Sequence, residues 1–239
     1  MNALTILSID TSGKTASAAI MKDGRLLGET AVVTRLTHSQ VILPMVERLL
    51  DDCEMTIDDI DIAAAANGPG SYTGLRIGIG AVKGMCAGSK KLECAGVSTL
   101  LALAYNLTAF EGRAVTVMKA RGSICYFAMF DIKDSFVARA HKDCLAESDE
   151  IVSLISGYSG RVMLIGDCAQ DIKALLQDKS NITTAPENAA MPRASGICMA
   201  VLRDSSLIVS PQQLTVSYLQ PTKAQKDRAH SKEKQQTDV

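Results

Sequence analysis

The sequence of 239 residues predicts a mixed α/β protein of two lobes. Three observations carry that expectation. The chain opens on three short β-rich runs joined by tight turns, which is the pattern of an antiparallel meander. Helical and strand patterns then alternate up to about residue 110. The second half repeats the same order loosely. The expected division is a first lobe over residues 1–110 and a smaller second lobe over 111–221. Residues 222–239 are polar and charged without an apolar period, and read as a flexible tail.

The elements follow in order. Residues 4–9 form a β-rich run ending at Asp10, and Thr11-Ser12-Gly13-Lys14 is a turn. Residues 15–21 and 26–33 continue the meander across a turn at residues 22–25. A helix is expected over residues 38–53, with Pro44 marking a kink or its true start. Its apolar residues Val41, Ile42, Leu43, Met45, Val46, Leu49 and Leu50 cover far more than the ~100° stripe of a surface helix, which calls for a second cover besides the sheet. Residues 60–66 read as a buried strand, 74–88 as a helix and 92–97 as a strand. Ser98 is placed to cap a helix running through residue 107. In the second half, 114–119, 123–131, 135–140 and 162–165 read as strands, and 147–155, 169–177 and 195–203 as helices.

Bulk composition narrows the function classes. A net charge of −1 supplies no global attraction to nucleic acid or anionic membrane, and the absence of tryptophan counts against a base-stacking platform. The seven cysteines include no CxxC pair, so they read as reduced core thiols in a cytosolic protein and not as a zinc site. The first apolar run lacks a preceding basic region and reads as a strand, not a signal peptide. No apolar stretch approaches the ~20 residues that span a bilayer, so the expectation is a soluble, cytoplasmic protein without membrane contact.

The most informative segment is NGPGSYTGLRIGIG, residues 67–80, continuing as AVKGMCAG to residue 88. It follows a strand and opens a helix, where unpaired backbone N–H groups can hold an anion. With the turn after Asp10 it suggests a residual nucleotide or phosphate loop built from Asp10, Thr11, Ser12, Gly68, Gly70 and Ser71. A glycine and proline turn explains the same residues without a ligand. Neither a Walker A ending nor dinucleotide-fingerprint spacing is present. The helix carries Gly74, Gly78, Gly80, Gly84 and Gly88, and each interior glycine costs roughly 0.5–1 kcal/mol against alanine. Gly80, Gly84 and Gly88 share one stripe, with Gly74, Gly78 and Ala81 nearby and Leu75, Ile79, Val82 and Cys86 opposite. A bare helix side admits close packing, inside the lobe or against a partner. The expected partner interface comprises Val41, Met45, Leu49, Gly78, Val82, Gly84 and Met85.

At this point the residues resemble a known family. IDTSGKTASAAI at residues 9–20, THSQVILPMVERLL at 37–50, NGPGSYTGLRIGIG at 67–80, GVSTLLALA at 96–104, KARGSICYFAMF at 119–130 and LIGD at 164–167 are similar to TsaB in that order. Tyr72 stands where that family usually has phenylalanine. The resemblance spans residues 4–220 and weakens after about residue 177. It implies a two-lobed actin-like ATPase fold of the ribonuclease H-like class. It also implies pairing with the catalytic TsaD subunit through first-lobe helices, cooperation with TsaE, and tRNA contact through the complex, which transfers a threonylcarbamoyl group to adenosine 37. Without TsaD the exposed seam should form a homodimer. No cofactor of its own is expected; ATP and magnesium belong to the complex.

The resemblance also implies that this chain is not the catalyst. The catalytic relative holds its metal with an HxxxH pair, and Thr99 and Leu103 stand at those places here; leucine cannot ligate a metal. The histidines are His38, His141 and His230, no two of them close in sequence. His38 reads as a helix-start residue in a polar turn more readily than as a base. The alternative is a small phosphotransferase of the same fold, with Asp10 placing magnesium. A protease reading is the weakest, because Ser71 lacks a nucleophile-elbow context. Arg76, Lys83, Lys90 and Lys91 form a local basic stretch that a solvated helix face explains as well as phosphate contact does.

Overall fold

The computed structural model describes residues 4–219 except 90, 177 and 178; the expected tail at 222–239 lies outside the described residues. β1 (Thr5–Asp10), β2 (Thr15–Lys22) and β3 (Arg25–Val33) form the antiparallel meander, closed at Asp23-Gly24 by positive φ values of 51° and 78°. α1 (His38–Asp52) follows, then β4 (Ile62–Gly68), α2 (Tyr72–Gly88), β5 (Glu93–Ser98) and α3 (Thr99–Tyr105). β4 pairs parallel to β1, and β5 parallel to β4.

The second half repeats this plan. β6 (Gly112–Arg121), β7 (Ile124–Lys133) and β8 (Phe136–Glu147) form a second antiparallel meander. α4 (Ser148–Ser156), β9 (Val162–Ile165), α5 (Ala169–Leu175) and β10 (Ile182–Thr184) complete it, with β9 parallel to β6 and β10 parallel to β9. The second sheet has the order β10-β9-β6-β7-β8, and the first contains β5-β4-β1-β2-β3. Each lobe therefore has one topology: a three-stranded meander extended by two parallel strands from its first strand. This is the duplicated ribonuclease H-like plan of the actin-like class.

The division of the chain differs from the expectation at one point. α6 (Ala194–Arg203) and β11 (Ile208–Val209) return to the first lobe instead of completing the second. β11 pairs antiparallel with β5 at the sheet edge. α6 is fastened to β1, where the Ser8 hydroxyl donates to the Ala194 carbonyl at 2.6 Å and lies 2.9 Å from Cys198 Sγ. Burial pushes the Cys198 thiol up to about 12. The apolar face of α6 reports helix and burial, but not which sheet does the burying.

α3 and α6 fill the space between the two sheets, where Leu100, Leu103, Ile197 and Val201 meet Phe130 and Ile165 of the second lobe. α1 and α2 cover the other face of the first sheet through Ile42, Val46, Leu49, Ile79 and Val82 against Leu7, Ile9 and Ile20. α4 and α5 do the same for the second sheet through Ile151, Ile155 and Ile172. Pro44 does not mark the start of α1. The helix begins after Thr37, whose backbone N–H donates to Gln40 Oε1 at 3.1 Å, a reciprocal cap with Pro44 tolerated inside on the exposed side. All seven cysteines are free thiols.

Candidate partner-binding face and the loop behind it

The two turns expected to form a phosphate loop do come together, but they bind each other. The Ser71 N–H donates to the Ser12 carbonyl at 2.7 Å, and the Thr11 hydroxyl donates to the Gly74 carbonyl at 2.7 Å. Gly70, at φ +154°, lies flat against Ser12, where an added Cβ would clash with the Ser12 carbonyl oxygen. Gly68, at φ +124°, makes room for the Ser217 carbonyl, which would stand 2.5 Å from an added Cβ. Ser71 caps α2: its hydroxyl accepts from the Gly74 N–H at 3.2 Å, and its carbonyl accepts from the Leu75 N–H at 2.9 Å.

Asp10 does not fit a magnesium ligand. It is wholly buried, one carboxylate oxygen accepts from the Ser12 N–H at 2.8 Å and the Ser12 hydroxyl at 2.6 Å, and the other has no partner among the described residues. Burial outweighs those two hydrogen bonds and holds the carboxyl above the usual carboxylate range. Its unpartnered oxygen is sealed from solvent, so the carboxyl is not presented to a divalent cation. A polar cleft of about 350 Å³ remains between the lobes, bordered by Ser12, Lys14, Ser71, Lys119 and Asp167.

The two positions that the resemblance sets against metal histidines are closed. Thr99 and Leu103 on α3 are both fully buried in the core between the sheets. Ser98 beside them caps α3 as expected, accepting from the Leu101 N–H at 3.2 Å. It also donates to Asp143 Oδ2 of the second lobe at 2.5 Å, and Asp143 pairs in turn with Arg139. Two side chains thus clasp the lobes together at the start of α3. His38 is the first residue of α1, and His141 lies on β8 beside Phe127, 5.2 Å between ring centroids.

The seven expected interface residues divide into two groups. Met45, Leu49 and Val82 are buried in the first lobe's own core at 8%, 4% and 0% exposure, so most of their surface is spent inside the protomer, although Met45 still borders a surface hollow beside Val41 and Pro44. Gly78 is also buried: a Cβ there would stand 2.6 Å from Thr11 Oγ1, so this glycine serves the turn after β1 and not a bare face. Gly74 faces the same turn. Val41, Gly84 and Met85 remain at the surface. Around them the bare stripe survives: a Cβ added at Gly80, Gly84 or Gly88 meets nothing within 4 Å.

This stripe runs along apolar hollows on the α1–α2 face. One, of about 630 Å³, is bordered by Leu43, Pro44, Leu50, Ile57, Gly84 and Met85. Its neighbour, of about 540 Å³, lies beside Arg76, Ile77, Gly80 and Ala81. Leu43, at 50% exposure, projects between them without a cover.

Sequence patterns missed a C-terminal strap. Leu214 is buried at 1% exposure, and the Ser217 N–H donates to the Asn67 carbonyl at 2.7 Å. Tyr218 stacks on Tyr72 at 5.1 Å between ring centroids, and Arg76 lies over Tyr72 at 3.9 Å while its Nε donates to the Tyr218 hydroxyl at 2.9 Å. The expected basic stretch is not one patch. Arg76 belongs to this stack, Lys91 pairs with Asp61 at 3.1 Å, Lys83 is half-buried, and Lys90 lies outside the described residues.

A family model described as TsaD, tRNA N6-adenosine threonylcarbamoyltransferase, matches residues 32–233. The Escherichia coli tRNA threonylcarbamoyladenosine biosynthesis protein TsaB is 30% identical over 77% of this chain and 84% of that protein. The chain belongs to the TsaB family. The Bacillus subtilis TsaB protein is 29% identical over 79% of this chain and 84% of its own length. Among solved structures, the YeaZ protein of Pseudomonas aeruginosa superposes with a TM-score of 0.77 at 23% identity, over 90% of this chain and all of that one. A second Pseudomonas aeruginosa structure, described as similar to peptidase YeaZ, gives 0.79 over 91% of this chain. These two likenesses establish the fold. The glycine-rich segment at residues 67–88 has two faces: one locks the turn after β1, the other lies open. Among the described residues no helix is long and apolar enough to cross a membrane.

Proposed function

We propose that this chain is a non-catalytic subunit of tRNA threonylcarbamoyladenosine synthesis, which activates the TsaD transferase by presenting its α1–α2 face. The observation that carries the reading is the open stripe at Gly80, Gly84 and Gly88 beside uncovered apolar hollows. Gly80 and Gly84, interior helical glycines with no packing role in the protomer, cost roughly 0.5–1 kcal/mol each against alanine. A partner helix seated close to the backbone would offset that cost. The sealed turn around Asp10 and the buried Thr99 and Leu103 support a supporting role over independent turnover. In this reading TsaE and tRNA join through the complex, and two copies of the chain share the face when TsaD is absent.

Gly84→Leu tests the reading without threatening the fold, because its side chain grows into open space. The variant should melt no lower than the wild-type monomer, fail to co-elute with purified TsaD, and fail to stimulate threonylcarbamoyl transfer to tRNA. A folded variant that binds TsaD as well as wild type would remove the interface from this face.

A further inference from the structure

Arg76 stands out on α2. The helix carries no acidic residue, and Arg76 and Lys83 are its only charges. Among the described residues Arg76 forms no ion pair, although it is exposed. Its guanidinium is nonetheless held still. It stacks on Tyr72, its Nε is engaged by Tyr218, and Tyr218 is carried by the strap that Ser217 ties to Asn67. An exposed arginine ordinarily gives up about 2 kcal/mol of rotamer freedom when it is fixed in a contact. Here that ordering has already happened, and Arg76 borders the apolar hollow lined by Ile77, Gly80 and Ala81 with its Nη donors left over from the Nε bond. A fixed fork of donors is the geometry that takes a carboxylate with two hydrogen bonds. The nearby start of α2 adds favourable potential for an anion.

We infer that the Tyr72–Arg76–Tyr218 stack is a pre-organised carboxylate receptor at the rim of the α1–α2 face, and that its occupant is an aspartate or glutamate on the partner helix that fills the adjoining hollow. Charge complementarity selects that occupant: the hollow is apolar and its α2 rim only cationic, so an apolar helix with one acidic residue satisfies both. The strap thereby acquires a function, since it fixes the arginine across 142 residues of sequence. The inference rests on the reading that this face receives TsaD, and the experiment separates the two.

Binding of purified TsaD is measured for the full-length wild type, Arg76→Gln, Arg76→Lys, Tyr218→Phe and Gly84→Leu, at low and at high salt. Arg76→Gln should weaken binding about thirtyfold, the loss of a hot-spot residue, and should flatten the salt dependence. Arg76→Lys should keep the salt dependence while recovering only part of the affinity, because a point charge cannot replace the fork. Tyr218→Phe, which keeps the ring and loses the hydrogen bond to Nε, should weaken binding a few-fold. If Arg76→Gln binds TsaD like wild type while Gly84→Leu does not, the receptor is refuted and the interface stands. If neither substitution matters, the interface itself is wrong. Loss of tRNA binding, or of self-association, with TsaD affinity unchanged would assign the arginine to a phosphate or to a second copy, and would equally overturn the proposal.

Discussion

The hydroxyl of Thr11 donates to the carbonyl of Gly74 at 2.7 Å, which bolts the turn after the first strand onto the first turn of α2. One turn further along, Gly78 is pressed against the same threonine, whereas Gly84 on the far side of the helix touches nothing. One helix thus uses its glycines in opposite ways.

Alanine substitution should separate these uses. Gly78→Ala forces a methyl to within 2.6 Å of Thr11 Oγ1 and should destabilise the protein by about 1–3 kcal/mol. Gly84→Ala and Gly80→Ala should each stabilise the monomer, at a dilution where the chain does not self-associate, by about 0.5–1 kcal/mol. Denaturant unfolding of the purified chain reads both; equal effects at positions 78 and 84 would contradict the assignment of faces.

The carboxyl of Asp10 governs a pH effect of definite sign. The unfolded chain releases this proton near its ordinary value of 3.8, while the folded chain holds it to higher pH because burial disfavours the anion. The Asp10 contribution to stability is therefore complete below pH 3.8 and falls as pH rises, until the folded carboxyl itself ionises. Asp10→Asn should remove that decline, melting higher than wild type at pH 7 and alike at low pH. A variant that is less stable at pH 7, or that loses a magnesium-dependent ATP turnover shown by wild type, would restore Asp10 as a metal ligand.

Asp143 joins the lobes. Its carboxylate accepts from the Ser98 hydroxyl at 2.5 Å and is largely buried, with 19% of its side chain exposed. Asp143→Ala should cost about 1.5–3 kcal/mol, the range for a hydrogen bond to a charged group. Hydrogen exchange should rise at the start of α3 and along β8, with α1 and α2 unaffected. Uniform protection in the variant would show that the apolar core between the sheets, not the clasp, holds the lobes.

Leu214 anchors the strap. A Cβ on Gly96 would stand 2.8 Å from its Cδ1, so leucine and glycine fit as plug and socket. Leu214→Ala should destabilise the protein by about 2–5 kcal/mol, the usual cost of emptying a buried leucine site. It should also quench the ordering of Tyr218, visible as faster exchange at the Ser217 amide.

Much of this architecture is legible in the residues themselves. Turns with Asp-Gly, period-2 runs and the Ser98 cap are local signals, and the first meander and most helices lie within a few residues of where those signals put them; β8 runs seven residues beyond its expected end at 140. The short strands β10 and β11 left no trace, because two or three residues make no period. The candidate face was half legible. Five glycines on one helix announce that something comes close, but a wheel places Gly74 and Gly78 at the border between its faces, and Thr11 decides which way they belong.

What the sequence by itself determined is therefore the order and kind of elements, the family resemblance carried by the glycine-rich segment, and the existence of an unusually bare helix. Only the tertiary structure decided that Met45, Leu49, Gly78 and Val82 are spent inside the protomer, that α6 and the strap return to the first lobe, and that Tyr218 meets Arg76. The physical reason is range. Helix and strand patterns arise from neighbours three or four residues apart or alternating along a strand, so they are written into any short window. A contact between residues 76 and 218 depends on how every intervening element packs, and leaves no periodic mark on either end.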